Sequence, residues 1–244
     1  MEQVVVVRGG HLLTMGPAGD LEDGAVAFAA GEVLAVGPFA EVAARFPGAE
    51  VVGDGHGVVL PGLVNAHTHL SEALLPGMLL GSGVCPLAAL RGAGIPVGIG
   101  TDGPASNDSQ NMLEAVKAAA LLHKLARLDP RAVTAGDVLA MATIEGARAL
   151  GLDGRIGSLE PGKRADVVRL RGDRPGLANV HDPRQQVVYC ASVADVADVW
   201  VDGARRVADG RLVGHDLAAL VEASRPLAAD LVARAGLGEQ SRLA

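Results

Sequence analysis

The stretch LPGLVNAHTH, residues 60–69, decides the predicted fold of this chain. A Pro-Gly pair leads into an apolar run that ends in two histidines, His67 and His69, separated by one residue. Side chains two positions apart in a β-strand point to the same face, so both imidazoles can reach one metal ion. A continuous apolar run is typical of a buried parallel strand. The stretch therefore predicts a strand that ends at a metal site, with a chance His-x-His pair in a loop as the alternative.

A second apolar run ends in a carboxylate. In GIGTDG, residues 98–103, Asp102 stands where the predicted strand ends. The carboxyl ends of parallel barrel strands converge on one face, so we expect Asp102 to meet His67 and His69 around one cation. Imidazole and carboxylate donors suit zinc, with Fe²⁺ or Mn²⁺ as alternatives. Such a metal lowers the pKa of bound water toward ~7, and Asp102 is the expected acceptor of the released proton.

Short Val-rich runs bounded by turn residues occupy both ends of the chain. Ala30-Gly31 is the predicted turn of a hairpin, and further strands are expected over residues 186–189 and 199–203. Helices are expected over residues 112–125, from a capping box at Thr134 through Ala149, and over residues 217–235. Strands at both ends with helices between them indicate one β domain that is built from both chain ends and carries an inserted α/β segment.

Composition excludes several classes of function. The net charge is −7 and the 21 Lys and Arg residues are scattered, whereas nucleic-acid binding needs a basic stripe. No apolar run approaches the ~18 residues of a membrane span, and the first residues lack the features of a signal peptide. These features predict a cytoplasmic protein with no membrane partner. Cys85 and Cys190 are too few for a disulfide framework and are expected to be small buried hydrophobic residues.

Four motifs, in order, resemble the amidohydrolase superfamily. They are the first-strand signature at residues 60–69, the eighth-strand signature GTDGPASN at 100–107, the return to a small β-sandwich, GSLEPGKRAD, at 157–166, and a closing strand, VWVDG, at 199–203. The resemblance is strongest to the cytosine deaminase-like branch, with its S-adenosylhomocysteine and methylthioadenosine deaminases and triazine hydrolases. It implies hydrolytic deamination of a purine- or pyrimidine-like ring, with the two histidines as metal ligands and Asp102 as both ligand and proton acceptor. It also implies histidines on the fifth and sixth strands and a nearby glutamate, which we do not find in this sequence.

By this resemblance, the strands between the first and the eighth strand of the barrel are missing from the chain. Asp102 follows His69 by only 33 positions, whereas a complete (β/α)8 barrel needs roughly 250 residues. We therefore predict an α/β chain in which a remnant of the (β/α)8 amidohydrolase barrel is inserted in a small β-sandwich domain formed by both chain ends. The predicted boundaries are 1–60 with 157–215 for the β-sandwich, 61–156 for the truncated barrel segment with its seam near 75–80, and 216–244 for a C-terminal helix.

Two functions remain open at this stage. The first is a metal-dependent hydrolase that acts on a C–N bond of a small-molecule substrate. The second is a non-catalytic remnant with a folded β domain, which would self-associate through unpaired strand edges. The missing strands could also come from a second chain, or be absent only from the gene model, and the sequence does not separate these explanations.

Overall fold

Strands from both ends of the chain build one sheet. The computed structural model describes residues 3–67, 85–103, 109–179 and 181–236, so the predicted seam lies outside the described residues. The strands are β1 (Val5–Leu13), β2 (Asp20–Ala29), β3 (Glu32–Pro38), β4 (Glu50–Val52), β5 (Val58–Pro61), β6 (Val167–Leu170), β7 (Val196–Val201), β8 (Ala204–Ala208) and β9 (Arg211–Leu212). β5 pairs with β6, and this pairing joins the N-terminal strands to the C-terminal ones.

The sheet is mixed in direction. Neighbouring strands follow the order β3-β2-β1-β5-β6-β7-β8, and β4 also pairs with β1. β1 runs parallel to β4 and β5, and the other neighbours are antiparallel. The hairpin between β2 and β3 turns at Ala30 and Gly31, whose φ angles are 52° and 77°. A two-residue type I′ turn needs two left-handed residues, so the predicted hairpin is confirmed.

Seven helices are described in these residues. They are α1 (Phe39–Arg45), α2 (Leu87–Gly92), α3 (Met112–Arg127), α4 (Ala135–Met141), α5 (Ile144–Ala149), α6 (Pro183–Tyr189) and α7 (Leu217–Arg234). The predicted start of α3 is confirmed, and the Asn111 side chain caps it by accepting hydrogen bonds from the N–H groups of Leu113 and Glu114. The single helix predicted to continue to Ala149 is wrong. The Thr143 hydroxyl donates to the carbonyl of Leu139, and the Thr143 backbone leaves the helical region with φ −136° and ψ −101°, which separates α4 from α5.

The strand predicted over residues 186–189 is also wrong, because this segment lies in α6. The Asp182 side chain accepts hydrogen bonds from the N–H groups of Arg184 and Gln185, and Pro183 occupies the first helical position. A side-chain cap followed by proline is a helix start, and this local chemistry overrides the β preference of the Val-rich run.

The core lies on both faces of the sheet. Val58 and Leu60 of β5 pack with the apolar faces of α3, α4 and α6 on one face. Val59, between them, points to the other face and packs with Phe28 and Trp200. A strand that is buried on both faces carries a continuous apolar run, and this is why residues 58–60 have no polar alternation.

Both cysteines are exposed, so the prediction that they are buried is wrong. Cys85 lies two residues before α2, and Cys190 lies at the end of α6. Both cysteines lie just outside their helices, whose buried residues, such as Leu87 and Val188, pack in the core instead.

The chain divides into two compact units, residues 1–210 and 211–244. The described part of the second unit holds α7, in which every residue is exposed and Pro226 lies inside the helix. The predicted helix is confirmed, whereas the domain boundaries drawn from the sequence stay predictions. Among the residues that the structure describes, no helix has the length and hydrophobicity that a membrane span requires.

A buried carboxylate ties β7 to its neighbours. Asp198 has no exposed surface, and its side chain accepts hydrogen bonds from Arg169, from Arg205 and from the backbone N–H of Asp209. Burial opposes ionisation of this carboxyl, but the hydrogen bonds from Arg205 and Asp209 and the charge of Arg169 outweigh it. The pKa of Asp198 is therefore lowered.

We expect Asp198→Asn to lower the free energy of unfolding by about 2 kcal/mol at pH 7, the range for a hydrogen bond to a charged group. The folded-state pKa lies below the unfolded one, so this stabilisation is present above the unfolded pKa of about 4 and is lost as pH falls through the folded value. Urea unfolding at about pH 7 and pH 3 should therefore show a difference between parent and variant that shrinks in acid. A difference that is equal at both pH values would contradict this origin. Asp209→Asn, at an exposed carboxylate, is the control.

Candidate metal centre

Two segments without helix or strand, residues 62–67 and 95–103, carry the predicted site residues. The prediction that they form regular strands is wrong for the described residues. One backbone hydrogen bond joins the described parts of these segments, from the Ala66 N–H to the Ile99 carbonyl at 2.9 Å. Two other N–H groups of the segments donate to carbonyls at the C-terminal end of α4, at 2.7 and 3.2 Å. A helix end thus takes the hydrogen bonds that a neighbouring strand would take, and no ladder forms.

Glycines allow the two segments to approach closely. A Cβ atom at Gly100 would lie 2.5 Å from Cβ and 2.6 Å from Cα of His67. A Cβ atom at Gly98 would lie 2.5 Å from the Cβ of Ala66. Contacts this short exclude any side chain, so the glycines of GIGTDG permit the approach that brings the histidine segment against the aspartate segment.

The structure brings His67 and Asp102 together. His67 Nε2 lies 3.0 Å from Asp102 Oδ1, and the two side chains are 32% and 38% exposed. Asp102 has a φ of 60°, a left-handed conformation that aspartate tolerates better than most residues. The Gly103 N–H donates to Asp102 Oδ1 at 2.6 Å, and Gln110 Nε2 donates to the Asp102 carbonyl at 2.7 Å. The third predicted ligand, His69, lies outside the described residues.

Asn65 contacts both segments. Its Oδ1 accepts hydrogen bonds from the backbone N–H groups of His67, at 3.2 Å, and Thr101, at 3.3 Å. Its Nδ2 donates to the Thr101 hydroxyl at 2.8 Å. The sequence reasoning did not identify Asn65 or Thr101. The sequence feature that could have identified Asn65 is its spacing. It lies two positions before His67, and residues two apart share a face in an extended chain.

The donor chemistry of this pair fits zinc. Imidazole nitrogen and carboxylate oxygen are both zinc ligands with bonds of roughly 2.0–2.2 Å, so two ligands of one tetrahedral ion lie roughly 3.3 Å apart. The 3.0 Å separation of His67 Nε2 and Asp102 Oδ1 is close to that value. Among the described residues, no group of three or more His, Cys, Asp or Glu side chains is placed to hold a metal. The pair therefore fits two positions of a metal site.

An apolar cavity of about 540 Å³ lies beside this region. It is lined by side chains of β5, β6, β7 and the start of α3, and by Gln110. Neither His67 nor Asp102 lines it. A substrate must touch the reacting groups, so we do not assign this cavity as the substrate site despite its size.

Known proteins are similar to this chain in sequence. The amidohydrolase family matches residues 74–206, a range that begins after the histidine motif and includes Asp102. A 5-methylthioadenosine/S-adenosylhomocysteine deaminase from Desulforudis audaxviator is 53% identical over 126 residues, which are 52% of this chain and 29% of that protein. A 5′-deoxyadenosine deaminase from Methanothermobacter thermautotrophicus is 44% identical over 154 residues, 63% of this chain and 36% of that protein. The chain spans about a third of the length of these curated relatives.

A solved structure shares the fold. An adenosine deaminase from Xanthomonas campestris with bound zinc superposes with a TM-score of 0.81 at 21% identity, covering 91% of this chain and 97% of that one. The family match covers more than half of the 244 residues. Sequence motifs, family match and fold agree, and the chain belongs to the amidohydrolase family.

Proposed function

We propose that this chain is a metal-dependent hydrolase that acts on non-peptide C–N bonds, and that its reaction is deamination of a purine- or pyrimidine-like ring. The observation that carries the proposal is the meeting of His67 and Asp102, an imidazole and a carboxylate from two separate segments, at 3.0 Å. Zinc is the proposed metal, with Fe²⁺ or Mn²⁺ as alternatives, and His69 is the proposed third ligand.

Each residue has a role in this proposal. His67 Nε2 and Asp102 Oδ1 would hold the metal. A divalent metal held there would lower the pKa of its bound water toward ~7 and so supply a nucleophile at neutral pH. The Asp102 carboxylate accepts the proton that the attacking water loses as a C–O bond forms at the ring carbon and the π bond from that carbon to the adjacent ring nitrogen opens, to re-form when the amino group leaves. That proton then passes to the ring amino group, which leaves as ammonia when the C–N bond breaks.

The relatives suggest the substrate class. The two deaminases named above act, by their names, on 5-methylthioadenosine, S-adenosylhomocysteine and 5′-deoxyadenosine. These molecules share an adenine ring with an exocyclic amino group. We therefore propose aminopurine nucleosides as the first substrates to test, and the choice among them is left to the assay.

The finer architecture is part of the same proposal. We propose that residues 61–156 are a barrel remnant with a seam near 75–80, and that residues 1–60 and 157–215 form the small β-sandwich. Two observations support this division: strands of both chain ends pair in one sheet, and the chain spans about a third of the length of its relatives.

The proposed activity predicts zinc-dependent ammonia release. Zinc-loaded protein is incubated with 5′-deoxyadenosine or S-adenosylhomocysteine, and ammonia is measured by a coupled assay. We expect release that a chelator abolishes and that His67→Ala removes, because the imidazole ligand is lost. His11→Ala, a histidine of β1 outside the site, should retain it. Ammonia release that persists in the presence of chelator would contradict a metal-dependent reaction.

The chain length favours a second candidate, a non-catalytic remnant. The matched relatives extend well beyond the aligned region, and in this candidate the walls of the substrate site belong to the part of the relatives that the chain does not match. This candidate predicts zinc binding without ammonia release from any adenine nucleoside, and self-association through strand edges in sedimentation experiments. Zinc-dependent turnover by the purified chain would exclude it.

A further inference from the structure

We propose that Asn65 is a positioning residue, which holds His67 and Asp102 at the separation that one metal ion requires. This inference rests on the metal site of the proposed function. The three hydrogen bonds of Asn65 carry it, because together they reach the backbone of His67 and both the backbone and the hydroxyl of Thr101.

The hydrogen bonds of Asn65 join the two segments that carry the ligands. The described backbone contributes a single bond between these segments, from Ala66 to Ile99. Asn65 adds two more, as its Oδ1 accepts from the Thr101 N–H and its Nδ2 donates to the Thr101 hydroxyl. The Asn65 side chain thus adds, between the described parts of the two segments, hydrogen bonds of the kind that a strand ladder supplies in a sheet.

The contacts continue from Thr101 to Asp102. Thr101 is 1% exposed, so its hydroxyl has few alternatives to protein partners. That hydroxyl accepts from Asn65 and lies 3.2 Å from the Asp102 carbonyl, to which it donates. Asp102 needs such support because its backbone lies in the left-handed region. Asn65 therefore acts on one ligand through the backbone N–H of His67 and on the other through Thr101.

A purely structural role predicts a different outcome from a positioning role. If Asn65 only stabilised the fold, its replacement would lower the free energy of unfolding and leave the zinc affinity of the folded protein unchanged. If it positions the ligands, zinc affinity falls even where the protein is fully folded. Loss of an outer-shell partner typically weakens metal affinity by about 10–100-fold.

The test is zinc affinity, measured by competition with a chromophoric chelator at a temperature where circular dichroism shows every variant folded. We expect Asn65→Leu to weaken zinc binding by about 10–100-fold. Asn65→Asp should weaken zinc binding less than Asn65→Leu, because a carboxylate oxygen still accepts from both N–H groups while the donor to the Thr101 hydroxyl is lost. Thr101→Val should weaken binding and Thr101→Ser should not. At each position, the comparison of the two variants separates the effect of lost hydrogen bonds from the effect of a changed side-chain size.

Asp182→Ala is the control for general loss of stability. It removes the cap of α6 and contacts neither segment of the site, so it should lower the unfolding temperature and leave zinc affinity unchanged. If the parent binds zinc and the Asn65→Leu and Thr101→Val variants bind it equally well, the positioning role is overturned and the metal site is not. A parent that does not bind zinc would overturn the proposed metal site and the positioning role with it.

Discussion

Asp102→Ala is expected to weaken zinc binding by more than about 100-fold, beyond what the loss of an outer-shell partner costs. The carboxylate supplies both a ligand atom and a negative charge beside the cation. Its Oδ1 is 3.0 Å from His67 Nε2, so the two donors face the same point. Isothermal titration calorimetry of parent and variant with zinc measures the change directly.

Two control variants distinguish the loss of the Asp102 carboxylate from the effect of a new residue on the left-handed backbone at this position. Asp102→Asn keeps a residue that tolerates the left-handed region but removes the charge, so it should also weaken zinc binding strongly. Asp23→Ala alters another aspartate at positive φ, with a φ of 44°, and should leave zinc binding intact. An Asp102→Ala variant that binds zinc within about threefold of the parent would show that Asp102 is not a ligand, since losing a ligand costs more than losing an outer-shell partner.

The second large effect concerns the core of the sheet. Trp200 of β7 is 2% exposed, and its ring meets Phe28 edge to face, with centroids 5.9 Å apart. Trp200→Ala should lower the free energy of unfolding by about 3–5 kcal/mol, because a large buried ring is lost and the space it leaves does not close fully. Trp200 also borders the 540 Å³ cavity, so the variant enlarges an existing void.

Urea unfolding followed by far-UV circular dichroism measures this effect. Trp200 is the one tryptophan of the sequence, so tryptophan fluorescence cannot follow the variant. The neighbouring Val201 is 47% exposed, and Val201→Ala should change stability by less than about 0.5 kcal/mol. A loss below about 1 kcal/mol for Trp200→Ala would mean that this ring is not central to the packing of the sheet, since truncating a buried aromatic side chain costs several times more.

Strong local signals made part of this fold predictable. The Ala30-Gly31 turn fixes two φ angles, and the start of α3 at Met112 follows from the helical spacing of its apolar residues, so sequence alone predicts both. The helix at residues 183–189 was missed because its Val-rich end favours a strand, while its start depends on the Asp182 cap. The break at Thr143 depends on a side-chain bond to the preceding turn, which hydrophobic periodicity does not reveal.

The meeting of two of the predicted site residues could be expected from the sequence, whereas the hydrogen bonds that support it could not. His67 and Asp102 follow from motif and residue chemistry, and the structure places them in contact. The supporting contacts of Asn65, Thr101 and Gln110 join segments that lie far apart in the sequence. Such long-range hydrogen bonds leave no periodic pattern. The strands predicted there also failed to form a ladder, because carbonyls at the end of α4 take their N–H groups.

The central claim is that His67 and Asp102 bind one metal ion, and thermal unfolding with zinc or with chelator tests it most directly. A ligand that binds only the folded state adds RT ln(1 + [L]/Kd), about 2.7 kcal/mol at 100 times Kd. We predict that zinc raises the unfolding temperature of the parent. It should have little effect on His67→Ala or Asp102→Ala, and none further on the double variant, because each substitution already breaks the shared site. An unfolding temperature that zinc leaves unchanged in the parent, or raises equally in the double variant, would contradict the claim.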